Sequence, residues 1–115
     1  MHQITIAKLQ DYIRKKDHQP TLTHEYFLKL VEEVGELSQA IRKNPPRATE
    51  ATLKGSIEEE IVDVLYYTLA IANCYGIDVE KWFYLKEKLN DEKYGRNMAD
   101  TLSSYAKKYG TGVPT

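Results

Sequence analysis

The segment from residue 57 to residue 72 constrains the fold most strongly, because its pattern is helical and it is apolar on nearly every side. Its apolar residues are Ile57, Ile61, Val62, Val64, Leu65, Leu69, Ala70, Ile71 and Ala72. A helix of this kind is expected to be buried on most sides. Glu60, Asp63 and Tyr67 interrupt it at spacings of three and four residues. They form one narrow polar strip on a helix that otherwise belongs in a protein core.

Four helical segments are predicted, and no alternating strand pattern competes with them. They span about residues 4–16, 24–43, 57–75 and 79–94. Pro45 and Pro46 end the second helix, since proline cannot donate to the helical hydrogen-bond ladder. Ser56 with Glu59 matches a capping box at the start of the third, and Gly76 suits its end. The pattern predicts an all-α fold of the four-helix bundle type.

Length and charge indicate one small helical domain. The chain has 115 residues, with 16 Lys plus Arg against 17 Asp plus Glu. This balance gives no electrostatic basis for binding nucleic acid or an anionic membrane. We expect residues 1–97 to form the domain and residues 98–115 a C-terminal extension, with a short helix near 99–108 and then a loose tail. The apolar third helix also predicts that dimerisation completes the bundle, in a homodimer or homotetramer.

The composition favours a cytoplasmic protein. Cys74 is the single cysteine, which excludes an internal disulfide and is typical of a reducing compartment. The first residues mix charged with apolar side chains, unlike a signal peptide, and no run of about 18 apolar residues predicts a membrane span. Cys74 is predicted to be a small buried hydrophobe, because no neighbouring residues could activate it as a nucleophile.

The second predicted helix carries an acidic pair that matches the strip on the third. Glu33 and Glu36 are three residues apart, so they share one side of the helix. That side flanks an apolar stripe expected to face the core: Leu30, Val34, Leu37 and Ile41. Facing the Glu60 and Asp63 pair, these carboxylates would repel one another and raise each other's pKa values. A hard divalent cation relieves that repulsion, so we predict that both pairs bind Mg²⁺, with Mn²⁺ as an alternative.

Neighbouring residues have simpler interpretations. Glu32, Glu58 and Glu59 lie off the two strips and are predicted to be solvated or to cap a helix. Gly35 costs about 1 kcal/mol relative to Ala in a helix. Either a close approach by a helix or ligand, or packing against a bulky neighbour, would explain it. Iron and zinc are disfavoured because the three histidines form no Glu-x-x-His motif and no Cys/His cluster.

The order and spacing of these motifs resemble a known family. Glu33-Val-Gly-Glu36 followed by Glu60-Ile-Val-Asp63 resembles the ExxE…ExxD signature of the MazG-like, all-α nucleoside triphosphate pyrophosphohydrolases. A third motif of that family, Lys-xxx-Asn-xx-(Arg/Lys)-Tyr, is similar to the residues Lys86, Asn90, Lys93 and Tyr94. The resemblance covers about residues 22–97.

The resemblance implies hydrolysis between the α and β phosphates of a nucleotide, giving a monophosphate and pyrophosphate, as nucleotide-pool housekeeping. It implies that the two acidic pairs bind Mg²⁺ and that the third motif contacts phosphate. Tyr67 matches a position that contacts the nucleotide in some dCTP-directed relatives. Glu36 or Glu60, by position, is expected to orient the attacking water or to accept its proton. Family members are generally dimers or tetramers, with sites built between subunits.

Two other functions stay open at this point. Phosphoribosyl-ATP pyrophosphohydrolase of histidine biosynthesis looks like a relative with the same helical signature and bond type. A non-catalytic helical regulator that binds nucleotide and Mg²⁺ is the alternative from a different class, although the four acids and the Lys-xxx-Asn motif argue against it. Trp82 and Phe83 are predicted to lie in the core or a dimer interface rather than to stack on a base.

Overall fold

The protein is described by a computed structural model that covers residues 3–109. Within these residues five α-helices follow one another: α1 Ile6–Lys16, α2 Thr23–Lys43, α3 Ile57–Cys74, α4 Val79–Tyr94 and α5 Met98–Tyr109. Two short 3-10 turns, Pro20–Leu22 and Glu50–Thr52, lie in the connections before α2 and α3. Within the described part of the chain no strand occurs, so the predicted all-α class is confirmed.

Local capping residues set the helix ends. Ser56 caps α3, where its Oγ accepts from the Glu59 backbone N–H at 3.0 Å. The Glu59 carboxylate accepts from the Gly55 N–H at 2.9 Å, whereas the predicted capping box requires the N–H of the next residue, Ser56. Asp78 caps α4, and Gly95, at φ 62°, ends it in the left-handed conformation. Because α3 ends at Cys74 and α4 begins at Val79, the connection between them is a short turn.

The core lies where α1 and α2 pack against α3. Its central buried residues are Ile13, Tyr26, Leu69 and Ala70. Cys74 is a free, partly buried thiol packed against this cluster. A polar clamp, made of the buried Gln10 and Asn73 with the exposed Arg14, joins α1 to the C-terminal half of α3. Gln10 also accepts from the Val79 N–H at 3.1 Å, which fixes the start of α4.

Two predictions about apolar burial are wrong for the single chain. Val34 and Ile41, predicted to face the core, are 50% and 56% exposed, because α2 turns its Tyr26 and Ala40 side towards the interior. The N-terminal half of α3 was expected to be covered on most sides, yet Ile61 is 53% exposed. One apolar side of α2 and α3 therefore stays open to solvent.

Helices α4 and α5 form a hairpin at one end of the molecule. The Asp91 carboxylate accepts from the Met98 N–H at 2.9 Å and from the Ala99 N–H at 2.8 Å, which fastens the start of α5 to α4. Trp82 and Phe83 are more than half exposed on α4, outside the core of this chain. The predicted loose tail lies outside the described residues. No helix between residues 3 and 109 has the length and apolar character needed to cross a membrane.

Candidate metal and substrate site

The packing of α2 on α3 brings acids from the two helices together. Carboxylate oxygens of Glu33, Glu60 and Asp63 all lie within 4.8 Å of one another, and we call these residues the inner triad. Glu60 is only 5% exposed. Glu33 also belongs to a second group at the same spacing with Glu32 and Glu36, both of which are exposed. The acids thus form a cluster with a buried end and a solvent-facing end.

Two oxygens in the buried end have no partner. Among the described residues, Glu33 Oε2 and Glu60 Oε2 are buried and make no hydrogen bond. A buried polar atom without a partner is costly, so native proteins seldom keep one without a reason. Oxygen atoms converging from two helices are the donor set that a hard divalent cation prefers. The cluster therefore fits a metal ion that takes oxygen ligands.

Burial and mutual repulsion change the protonation of the cluster. Burial, followed by the close approach of the Glu60 and Glu36 carboxylates and by the charges of Glu36 and Asp63, raises the pKa of Glu33 to about 7. Burial is also the main cause that raises the pKa of Glu60 and the pKa of Asp63. The metal-free cluster therefore retains a proton near neutral pH, which a bound cation would displace.

Sequence reasoning missed two residues beside the acids. Lys54, in the connection before α3, lowers the pKa of Asp63 by its charge and partly opposes the effect of burial. The available sequence signal was its position two residues before the Ser56 cap, which keeps Lys54 close to the first turn of α3. Glu32, predicted to point away, lies in the exposed acidic group and pairs with Lys29 at 3.5 Å.

The other acids of α3 hold the backbone of the preceding connection. Glu58 Oε2 accepts from the Ala48 N–H at 2.9 Å, and the pKa of Glu58 is lowered chiefly by that bond. Glu59 accepts from Gly55, as described above. Gly35, at the exposed side of α2, has open space where a Cβ would lie, so neither another helix nor a bulky neighbour explains it within one chain, and the approach of a ligand stays a prediction.

Tyr67 stands one helical turn beyond Asp63 on α3 and is partly buried. Burial raises the pKa of its phenol, Lys29 partly offsets that effect, and the charges of Glu33 and Asp63 add to it. The ring packs edge-on against Tyr66, with centroids 5.2 Å apart. Tyr67 therefore lies at the border of the acidic cluster, on the side towards α1.

The third sequence motif lies elsewhere in the chain. Lys86, Asn90, Lys93 and Tyr94 all belong to α4, whose main packing partners are α1 and α5. Lys86 and Lys93 are exposed, and the Lys93 ammonium sits 5.2 Å from the Tyr94 ring centroid. Across residues 3–109, no hydrogen bond or ion pair joins this motif to the acids. One chain alone therefore does not bring the motif and the acids together.

Comparison with known proteins identifies what this arrangement is similar to. A family model described as the MazG nucleotide pyrophosphohydrolase domain matches residues 22–96, which include both acidic pairs and the α4 motif. Two crystal structures of iMazG from Vibrio DAT 722 are similar to the chain. One is 48% identical with a TM-score of 0.76, covering 81% of this chain and 100% of that one. The other is 47% identical with a TM-score of 0.73, covering 76% and 99%. No curated protein matches.

Proposed function

The chain belongs to the MazG family and is a nucleotide pyrophosphohydrolase, and we propose that it hydrolyses nucleoside triphosphates between the α and β phosphates in a Mg²⁺-dependent reaction. The products are a nucleoside monophosphate and pyrophosphate, and the role is housekeeping of the cytoplasmic nucleotide pool. One observation carries the proposal. Two buried carboxylate oxygens, on Glu33 and Glu60, meet between facing helices and lack any hydrogen-bond partner among the described residues.

The inner triad, together with Glu36, holds the cation in this proposal. Glu33, Glu60 and Asp63 offer oxygens from two helices, and Glu36 adds one from the exposed side. Bound Mg²⁺ supplies neutralisation of phosphate charge and activation of water. The helices α2 and α3 pack closely against each other. Their acids are therefore held in place before the substrate arrives, which limits reorganisation of the site during the reaction.

The two candidate catalytic acids differ in their surroundings. Glu60 is almost fully buried, so its side chain is restricted and suited to orienting groups inside the cluster. Glu36 is exposed, so a water molecule has room beside it. We assign acceptance of the water proton to Glu36, and an orienting role to Glu60. Tyr67, one turn beyond Asp63, contacts the nucleoside part.

Self-association completes the site in this proposal. Val34 and Ile41 of α2 are 50% and 56% exposed, and Ile61 and Val62 of α3 are 53% and 60% exposed. This apolar side of the two helices is the surface that a partner would cover. We propose a homodimer, or a homotetramer built from dimers, that covers this side. The partner's α4 then supplies its lysines and asparagine, the residues Lys86, Asn90 and Lys93, to the phosphates.

A pyrophosphate-release assay tests the reaction. Ribonucleoside and deoxyribonucleoside triphosphates and phosphoribosyl-ATP are offered in turn with millimolar Mg²⁺, and the products are identified by ³¹P NMR. Pyrophosphate plus monophosphate is the expected pair. Release of inorganic phosphate, or tight nucleotide binding without turnover, would contradict the proposal, and the second result would support a regulator. Turnover of phosphoribosyl-ATP alone would place the enzyme in histidine biosynthesis.

Mixing two inactive variants tests the shared site. Asp63→Ala removes an acid, and Lys86→Ala removes a cation from α4. If the partner supplies α4, a mixed dimer contains one site with all its acids and an intact Lys86. Activity should then return when the variants are unfolded and refolded together. Failure to regain activity in verified mixed dimers would place both motifs in one chain.

A further inference from the structure

Asp17 carries a carboxylate where a helix disfavours one. It is the C-terminal cap of α1, next to the negative end of the helix dipole, where the preceding basic residues are the expected type. In the part of the chain that the structure describes, no cation forms an ion pair with it. Asp17 is partly buried, so solvent does not fully compensate its charge. Its partners are two tyrosine hydroxyls instead.

These tyrosines come from two other helices. Tyr26 of α2 donates to Asp17 Oδ1 at 2.7 Å, and Tyr66 of α3 donates to Oδ2 at 3.2 Å. Tyr26 is a core residue, 6% exposed, and its hydroxyl also accepts from the Gln19 N–H. The Lys16 ammonium lies 4.9 Å from the Tyr66 ring centroid. Two consecutive residues, the last of α1 and its cap, thus hold Tyr66, one at the face of its ring and one at its hydroxyl.

Tyr66 continues this connection to the acidic cluster. Its ring meets Tyr67 edge to face, at an interplanar angle of 79°. Tyr67 lies one turn beyond Asp63, inside the electrostatic field of the acids. By contrast, Tyr26 binds the same carboxylate but makes no ring contact with Tyr67. The series Asp17, Tyr66, Tyr67 therefore leads from the end of α1 to the border of the site.

We propose that Asp17 is a positioning residue, which acts through Tyr66 to hold Tyr67 ready for the nucleoside part of the substrate. The inference rests on the proposed function, in which the acids take the phosphates and Tyr67 faces the nucleoside. A ring already fixed by its neighbours loses little freedom when a ligand binds. Releasing Tyr66 should therefore weaken nucleoside recognition and leave phosphate binding unchanged.

Two conservative variants form a matched pair. Tyr66→Phe and Tyr26→Phe each remove one hydroxyl from the same carboxylate, but of the two rings only that of Tyr66 stacks edge to face on Tyr67. Calorimetry with Mg²⁺ measures binding of dAMP, dCMP, dGMP, dTMP and pyrophosphate, which are the proposed types of product. For the monophosphates that the wild type binds, Tyr66→Phe should weaken affinity roughly three- to tenfold, with pyrophosphate affinity unchanged. Asp17→Asn should behave alike, whereas Tyr26→Phe should lower the melting temperature without changing either affinity.

Several results would overturn the positioning role. These are equal monophosphate affinity in wild type and Tyr66→Phe, an equal loss in Tyr26→Phe, or a parallel loss of pyrophosphate binding. A wild type that binds none of the monophosphates also overturns it. If the split is observed but no triphosphate is hydrolysed, the positioning role stands and the proposed reaction fails. If hydrolysis occurs and the variants bind the monophosphates as the wild type does, the proposed reaction stands and the positioning role fails. Should Asp17→Asn not fold, the tyrosine pair decides alone.

Discussion

Glu60 and Asn73 are equally buried polar residues on the same helix, and the fold treats them in opposite ways. They are 5% and 4% exposed. Asn73 accepts from Gln10 at 3.2 Å and from Arg14 at 3.1 Å, and donates to the Gln10 carbonyl at 2.9 Å. Glu60 leaves Oε2 without a partner among the described residues. The protein itself satisfies one end of α3, and at the other end the proposed function assigns the missing partner to the cation.

The contrast separates a structural polar group from a functional one. A satisfied buried network contributes specificity and rigidity, so removing one member leaves its partners unpaired. An acidic cluster without partners opposes folding, so removing one member relieves repulsion. The two ends of α3 should therefore respond in opposite directions when either residue is replaced.

The largest expected effect is on activity, from Glu60→Gln. Losing one carboxylate weakens the cation site and misplaces the water, so pyrophosphate release should fall by orders of magnitude, about a thousandfold. Stability should hold or rise, because one repelling charge is gone. Glu58→Gln is the matched control, since it keeps an oxygen for the Ala48 N–H and lies outside the cluster. A variant that unfolds while each remaining folded molecule keeps its Mg²⁺ affinity would make Glu60 a structural acid.

Asn73→Ala should have the second largest effect, and on stability. It removes three hydrogen bonds and leaves buried Gln10 groups without those partners, which should lower the free energy of unfolding by about 3 kcal/mol. Urea unfolding gives this value directly. Activity per folded molecule should change little at low temperature, since the clamp lies at the far end of α3. An unchanged urea midpoint would remove the basis for calling this end structural.

Mg²⁺ should stabilise the protein to a smaller extent. A cation that binds only the folded cluster shifts unfolding by mass action, by up to about 2.7 kcal/mol at a hundredfold excess over the dissociation constant. Melting curves with millimolar Mg²⁺ and with chelator measure the shift. Asn73→Ala should keep it, and Glu60→Gln should lose most of it. An equal melting temperature of the wild type with Mg²⁺ and with chelator would contradict cation binding by the inner triad.

The smallest expected effect is on the pH dependence of the metal-free protein. Glu33 has a folded pKa of about 7 against an ordinary value of 4.5, so the folded state retains a proton that the unfolded state releases. The stabilisation from that proton is complete below the unfolded pKa and is lost as the pH rises through the folded one. Unfolding at about pH 5 should therefore need more urea than at about pH 8. Glu33→Gln should reduce this difference, whereas the reverse slope in the wild type would refute it.

Short-range signals made much of the fold predictable. The end of α2 followed from Pro45 and Pro46, and the limits of α3 from Ser56 and Gly76, because such signals act within one turn. The acids on α2 and α3 could be matched because a helical period fixes which side each residue occupies. The sequence could not tell which side finds a partner. Val34 and Ile41 fit a core stripe by period, yet tertiary packing turned a different side of α2 inward.

Residues whose role depends on distant packing were not predictable in the same way. Lys54 lies in a connection, and its charge reaches Asp63 only because that connection returns to α3. Asp17 looks like an ordinary turn residue until Tyr26 and Tyr66 converge on it from two helices. The placement of α4 away from the acids is likewise a property of the three-dimensional arrangement. The helical period of α4 shows which of its residues share a side, but not which other helix that side contacts.

The clamp between α1 and α3 also bears on the order in which the molecule folds. Its hydrogen bonds, and the neighbouring bond from Ala7 to Glu80, join residues 59 to 73 positions apart, whereas α2 and α3 are consecutive helices. Nearby contacts form first because closing a short loop costs less entropy. The acids would therefore meet early, before α1 docks, and their repulsion would slow the first step. Stopped-flow refolding should be faster with Mg²⁺, and an unchanged rate would mean that the acids meet only after the transition state.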